Sequence, residues 1–235
     1  MPEPASEPRV FRQFRFTPPP GSTELLLVRH GESEAAVEDK SFALVDGHGD
    51  PPLSAEGKEQ AERVSARLAL ERVDAIYVSN LQRTSQTAAP LAARRGLEPI
   101  VDRDLREVFL GEWEGGVFRQ RVMDQDPIAT RIFTEQRWDV IPGAEPAADF
   151  AARLRGVIQR IAAAHVDQRV AVFAHGGVIG QILSEATGAQ PFAFSGADNA
   201  SISPLVVTPV RSLLRRFNDT AHLDGGMTVE AAPPT

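Results

Sequence analysis

The chain has 235 residues, with 25 Lys and Arg against 32 Asp and Glu, a net charge of −7 at neutral pH. That length holds one large domain or two small ones, and the acidic balance argues against nucleic acid as a partner, which needs a basic footprint. The absence of cysteine excludes disulfides, zinc–thiolate sites and a Cys nucleophile. No apolar run approaches the roughly 20 residues that span a bilayer, and the Pro-, Glu- and Arg-rich start lacks a signal-peptide core, so a cytoplasmic protein with no membrane contact is expected.

Residues 1–22 read as an N-terminal extension: Pro2, Pro4, Pro8 and the run Pro18-Pro19-Pro20-Gly21 suit neither a helix nor a central strand. Phe11, Phe14 and Phe16 are available to pack on the domain surface. The main domain is expected over 23–222, with 223–235 as a loose tail.

Leu25 to Val28 is an unalternating apolar run, as in a parallel strand buried on both faces, and it stops at Arg29-His30-Gly31-Glu32. Residues 33–49 are polar and acidic with little periodicity, and Gly47 to Leu53 reads as a loop. Ser54 is a good N-cap for a helix reaching about Leu70, with Ala61, Val64, Leu68 and Ala69 at helical spacing. Ala75 to Val78 is a second buried strand, followed by a helix from about Thr84 to Arg95 with Gly96 at its C′ position. Pro99 to Val101 reads as a short strand. Leu105 to Gly115 mixes acids, aromatics and glycines. Helices are predicted within 118–138, a break at Pro142-Gly143, and a long amphipathic helix over 147–164 with Phe150, Leu154, Val157, Ile158 and Ile161 as its core stripe. Arg169 to Ala174 is the third strong strand, running into His175-Gly176-Gly177 and a helix over 178–186. Residues 202–207 and 212–217 read as two late strands forming an edge hairpin.

Alternating strands and helices imply a layered α/β domain with a largely parallel central sheet. Ligands bind such sheets at the carboxyl ends of the strands, and those ends carry Arg29, His30, Arg83 and His175. Two guanidiniums and two imidazoles suit a phosphoryl group, whose charge the arginines neutralise. A neutral imidazole can attack phosphorus, and nearby arginines disfavour its protonation, which makes His30 the candidate nucleophile. Glu107 is the acid best placed to protonate a leaving oxygen, with Glu32, Glu112 and Glu114 as rivals. No two histidines have a ligand spacing such as i, i+4, so neither a metal nor another cofactor is expected. His48 reads as a solvated loop residue, and His165 and His222 as surface or packing residues. Phe118, Phe133 and Trp138 read as core or lid packing.

Five segments carry a resemblance: Leu27-Val28-Arg29-His30-Gly31-Glu32-Ser33; Asp50 to Ser54 with Gly57 and Gln60-Ala61; Ser79 to Ala88; Leu105-Arg106-Glu107 with Gly111 to Gly115; and Ala174 to Ile179. In this order they resemble the histidine phosphatase superfamily, in its phosphoglycerate-mutase-like branch. The resemblance implies a three-layer α/β/α sandwich and no metal. It implies His30 as the phosphorylated nucleophile, Glu107 as proton donor and Arg29, Arg83 and His175 as phosphate ligands. Ser33 and Gly176 complete the substrate contacts assigned on this basis.

Two departures stand out. Ala36 occupies the place where family members usually carry an Asn, and Ser33 and His48 are the candidate replacements for that donor. The stretch from Glu107 to His175 is shorter than in the mutases, which points to a phosphatase. The expected function is hydrolysis of small phosphorylated metabolites through a phosphohistidine. The alternatives are a phosphoglycerate mutase, which needs a bisphosphate primer, and a non-catalytic phosphate-binding protein. Exposed sheet edges and the Pro-rich N-terminus offer surfaces for a homodimer.

Overall fold

The computed structural model describes residues 9–223. Pro2, Pro4 and Pro8 of the predicted extension and almost all of the predicted tail lie outside the described residues. From 9 to 22 the chain contains neither helix nor strand; Phe11 and Phe14 are exposed, and the Phe16 ring stacks against the Arg215 guanidinium.

Six strands form the central sheet. They are β1 (Thr23–Arg29), β4 (Ala75–Val78), β5 (Ile100–Val101), β6 (Arg169–Ala174), β7 (Ile202–Val207) and β8 (Ser212–Leu214), in the order β5-β4-β6-β1-β7-β8. The first four of that order are parallel, and β7 and β8 are antiparallel additions at one edge. The predicted last strand is thus shorter than expected, ending at Leu214.

Because side chains alternate across a strand, each unbroken apolar run feeds two cores. Leu25, Leu27, Val170 and Val172 face one side, where they meet α5 (Ala147–Ala164) and α6 (Gly176–Thr187). Leu26, Val28, Ala171 and Phe173 face the other, where they meet α1 (Ala55–Leu68) and α2 (Gln82–Arg95). The result is the three-layer α/β/α sandwich. The buried stripe of α5 is Phe150, Leu154, Val157, Ile158 and Ile161, as its spacing predicts. A third, smaller core gathers Trp113, Ala129, Ile132 and Ile141 beneath α3 (Val117–Met123) and α4 (Pro127–Glu135), above the carboxyl ends of the strands.

Three local expectations need correction. Residues 44–49, read as a stretch of little periodicity entering a loop at Gly47, form a hairpin of two short strands, β2 (Leu44–Val45) and β3 (His48–Gly49), turned by Asp46 and Gly47 at positive φ. The second helix begins at Gln82, two residues early, because the Asp50 carboxylate accepts from the Gln82 N–H at 2.8 Å and caps it from a distant segment. The last long helix begins at Gly176, directly after His175.

Candidate active site

Register brings the site together. Strand β6 lies between β1 and β4, pairing Val28 with Phe173 and Phe173 with Val78. The residues just past these positions therefore emerge side by side: Arg29 and His30 from β1, Ser79 from β4, His175 from β6. The rings of His30 and His175 meet edge to face with centroids 5.1 Å apart. Close backbone packing fixes the turn after β1: a Cβ on Gly31 would stand 2.5 Å from the Gly57 carbonyl oxygen, so glycine is required where the turn crosses α1.

His30 is buried, and its Nδ1 lies 2.7 Å from the Gly31 carbonyl, which can only accept. Nδ1 therefore carries the proton and Nε2 keeps a lone pair. Arg83 donates to that Nε2 from Nε at 3.2 Å, and its Nη1 donates to the Gly49 carbonyl at 3.0 Å, with the Asp50 carboxylate 3.8 Å away. Burial lowers the Arg83 pKa to about 10, held up by Glu107 and Asp50. Arg29 donates to the Ala197 carbonyl at 2.6 Å, and burial lowers its pKa against the pull of Glu107. Burial first, then the charges of Arg83 and Arg29, holds the His30 imidazole well below its ordinary value. His175 is held down likewise, by burial, then Arg83, then His30. Its Nε2 lies 2.9 Å from Ser79 Oγ, while its buried Nδ1 has no hydrogen-bond partner among the described residues.

Glu107 sits on the cavity wall between two backbone donors: Val108 N–H to Oε1 at 2.9 Å and Gly177 N–H, in the first turn of α6, to Oε2 at 3.1 Å. It is the largest acidic influence on both Arg29 and Arg83. Its rivals stand differently. Glu32 and Glu112 are exposed and off the cavity, with Glu32 accepting from Ser54 Oγ. Glu114 also lines the cavity and likewise accepts from two backbone N–H groups, those of Gly49 and Leu110, but its charge is a minor influence on Arg83, where Glu107 leads.

Arg29, His30, Glu107 and Gly176 line one cavity of about 570 Å³, with Arg83 and His175 packed behind His30. Ser33 does not line it; its buried hydroxyl accepts from Arg119 Nη2 at 2.7 Å. Nor is His48 a solvated loop residue or a cavity donor: it is buried in the β2–β3 hairpin with its ring 5.2 Å from Phe109. Among the donors on the wall that sequence reasoning did not single out are Arg119, from α3, and Asn199, whose Nδ2 donates to the His30 carbonyl at 3.0 Å. Neither lies in the segments that carry the resemblance. Phe118, Phe133 and Trp138 pack with the small upper core and also line the cavity. Among the described residues no cluster of His, Asp and Glu has the makings of a metal site, and no helix is long and apolar enough to cross a membrane.

The model of the histidine phosphatase superfamily, branch 1, matches residues 25–220. Phosphoserine phosphatase 1 of Hydrogenobacter thermophilus is 33% identical over 88% of this chain and 97% of its own length. Phosphoglycerate mutase-like protein 4 of Arabidopsis thaliana is 39% identical over 69% of this chain and 70% of its own. Among solved structures, the mycobacterial glucosyl-3-phosphoglycerate phosphatase superposes with a TM-score of 0.71 at 28% identity, covering 85% of this chain and all of that one. The chain therefore belongs to the histidine phosphatase superfamily, in its branch 1, and it is an enzyme of the phosphatase kind.

Proposed function

We propose that the enzyme hydrolyses monoesters of small phosphorylated metabolites through a phosphohistidine on His30. The observation that carries this is the tautomer: with Nδ1–H bound to Gly31, the lone pair of Nε2 faces the guanidinium of Arg83, where a phosphoryl dianion would be held.

In the first step Nε2 attacks phosphorus, a P–N bond forms, and the ester P–O bond breaks. Glu107, protonated, gives its proton to the departing oxygen, releasing the alcohol. In the second step a water attacks phosphorus, Glu107 as carboxylate takes the water's proton, and the P–N bond breaks to give inorganic phosphate and free His30. Arg29 on the wall, with Arg83 and His175 close behind His30, supplies the charge and donors for the phosphoryl oxygens, and this hold strengthens as charge builds in the transition state. Gly176 borders this pocket through the helix it begins, whose N-terminal end favours an anion. Ser33 acts at one remove, by fixing Arg119.

A mutase would have to hold the far end of a doubly anionic substrate. Beyond Arg29, His30 and Arg119 the cavity lining has no basic side chain among the described residues, which favours hydrolysis. The cytoplasmic setting expected from the sequence belongs to this proposal, as do a small phosphorylated substrate as partner and assembly as a homodimer.

The test is His30→Ala together with a search for acid-labile, base-stable phosphate on the wild type after rapid mixing with substrate. The variant should lose turnover, and the label should appear on His30. Hydrolysis by the variant at the wild-type rate would remove His30 from the mechanism.

A further inference from the structure

The cavity extends well beyond the room a phosphoryl group needs, and its far wall is aromatic. Trp138 lies at the centre of that wall, its ring 5.8 Å from Phe118 and 5.1 Å from Phe192. Phe133 stacks on Phe192 at 6.3 Å and Trp113 on Phe118 at 6.3 Å. All five line the cavity. Only Trp113 is fully buried; the other four are half-buried, so ring surface is left facing the cavity.

Charge is distributed against a second anion. The basic side chains on the wall are Arg29, His30 and Arg119. Arg119 belongs to the phosphate end: its charge bears on Arg29, His30 and Arg83, and its Nη1 and Nη2 donate to the Glu34 carbonyl and Ser33 Oγ. Among the described residues the rest of the lining adds two carboxylates, Glu114 and Asp198, and no cation. A leaving group bearing its own carboxylate or second phosphate finds nothing there to neutralise it, whereas an apolar, ring-sized body finds surface to bury against.

We propose, resting on the role given to His30 above, that this enzyme selects phosphomonoesters whose alcohol carries an apolar, preferably aromatic, body, over esters whose alcohol is small and polar or itself anionic. Trp138 and Phe192 are the residues that read that body.

Ethyl phosphate, 2-phenylethyl phosphate and O-phosphoserine separate the cases, because the first two release alcohols of similar acidity and differ mainly in the ring. The expected kcat/KM ratio of 2-phenylethyl to ethyl phosphate is about tenfold or more, the scale of discrimination an apolar pocket gives, with phosphoserine the poorest of the three. In Trp138→Ala and Phe192→Ala that ratio should fall toward one, whichever way the absolute rates move. Direct binding to the wild type, read by titration calorimetry, supplies a measurement that needs no variant to fold and no turnover: 2-phenylethylphosphonate should bind more tightly than ethylphosphonate by a similar factor. A ratio near one, or a preference for phosphoserine, with hydrolysis intact overturns this inference and leaves the phosphatase reading standing. Loss of hydrolysis of all three esters would strike that reading, while the phosphonate ratio would still decide this one.

Discussion

The Glu107 carboxylate rests against the backbone of Gly177: the Gly177 N–H donates to Oε2 at 3.1 Å, and a Cβ at position 177 would stand 2.7 Å from Oε1. Glycine here leaves room for the acid while helix α6 supplies one of its donors. Gly177→Ala should push the carboxyl aside without touching His30. Misplacement of this order costs on the order of 10- to 100-fold in rate. The loss should fall on alkyl phosphates, whose leaving oxygen needs the proton, and spare p-nitrophenyl phosphate, whose leaving group does not. An equal loss on both esters, or none on either, would separate Gly177 from the acid's position.

Arg153 secures the same acid from behind. Its Nε and Nη2 grip the two oxygens of Glu145 at 2.7 and 2.8 Å, Nη1 donates to the carbonyls of Asp104 and Arg106, and Nη2 donates to the carbonyl of Glu107 at 3.0 Å. Both partners of the pair are mostly buried. Arg153→Met strands the Glu145 charge and should destabilise the fold by about 3 kcal/mol, the scale for breaking a buried pair, as read by urea denaturation. Arg153→Lys keeps the charge but loses the planar fork, so it should fold and yet show the same alkyl-over-aryl deficit as Gly177→Ala. A lysine variant with wild-type rates on both esters would deny Arg153 any part in holding Glu107.

The sandwich and the convergence of His30, Arg83 and His175 are legible in the sequence because both rest on local signals: unbroken apolar runs, and polar residues placed just beyond them. What stays hidden depends on distant contacts. Asp50 caps α2 from 32 residues away, so no local pattern marks the helix start at Gln82. Arg119 reaches the cavity from a seven-residue helix with no buried residue, and its place is set by Ser33 rather than by any spacing within α3. Ala36 lies against Gly116, whose added Cβ would approach it to 3.2 Å, so a small side chain fits where the usual Asn would stand. The β2–β3 hairpin did carry a signal, the dipeptide Asp46-Gly47 with both residues in the left-handed region, but two-residue strands show no alternation to read.

Asp50 offers a test in which charge and positioning predict opposite signs. Its carboxylate lies 3.8 Å from Arg83 Nη1, while the same guanidinium is held independently by the Gly49 carbonyl and by His30. Asp50→Asn retains an oxygen for the Gln82 N–H and removes one negative charge. Arg83 should stay in place and the pocket become more positive, so inorganic phosphate should inhibit more strongly, on the order of fivefold, or about 1 kcal/mol for a charge at this range. Weaker inhibition would mean that the ion pair, not the Gly49 carbonyl, aims the guanidinium.

The two site imidazoles also write themselves into the pH dependence of stability. Burial and the arginine charges hold His30 and His175 well below 6.5 in the folded protein, and burial lowers His222 in the same direction. In the unfolded chain these rings protonate near pH 6.5, so below that pH the unfolded state binds more protons and stability falls as pH falls, until the folded-state values are reached. Each ring contributes a slope of up to about 1.4 kcal/mol per pH unit over that interval. Asp74, Asp139 and Asp219 are depressed by hydrogen bonds and ion pairs, but carboxylates begin to matter only near their unfolded pKa values, around 4. The window from about pH 6.5 to 5 therefore isolates the histidines. Chemical denaturation across it should show a steady loss, and NMR titration should find the His30 and His175 rings protonating at lower pH than an ordinary histidine. A ring at either position titrating at 6.5 or higher would mean that Arg29 and Arg83 do not impose their field on the site.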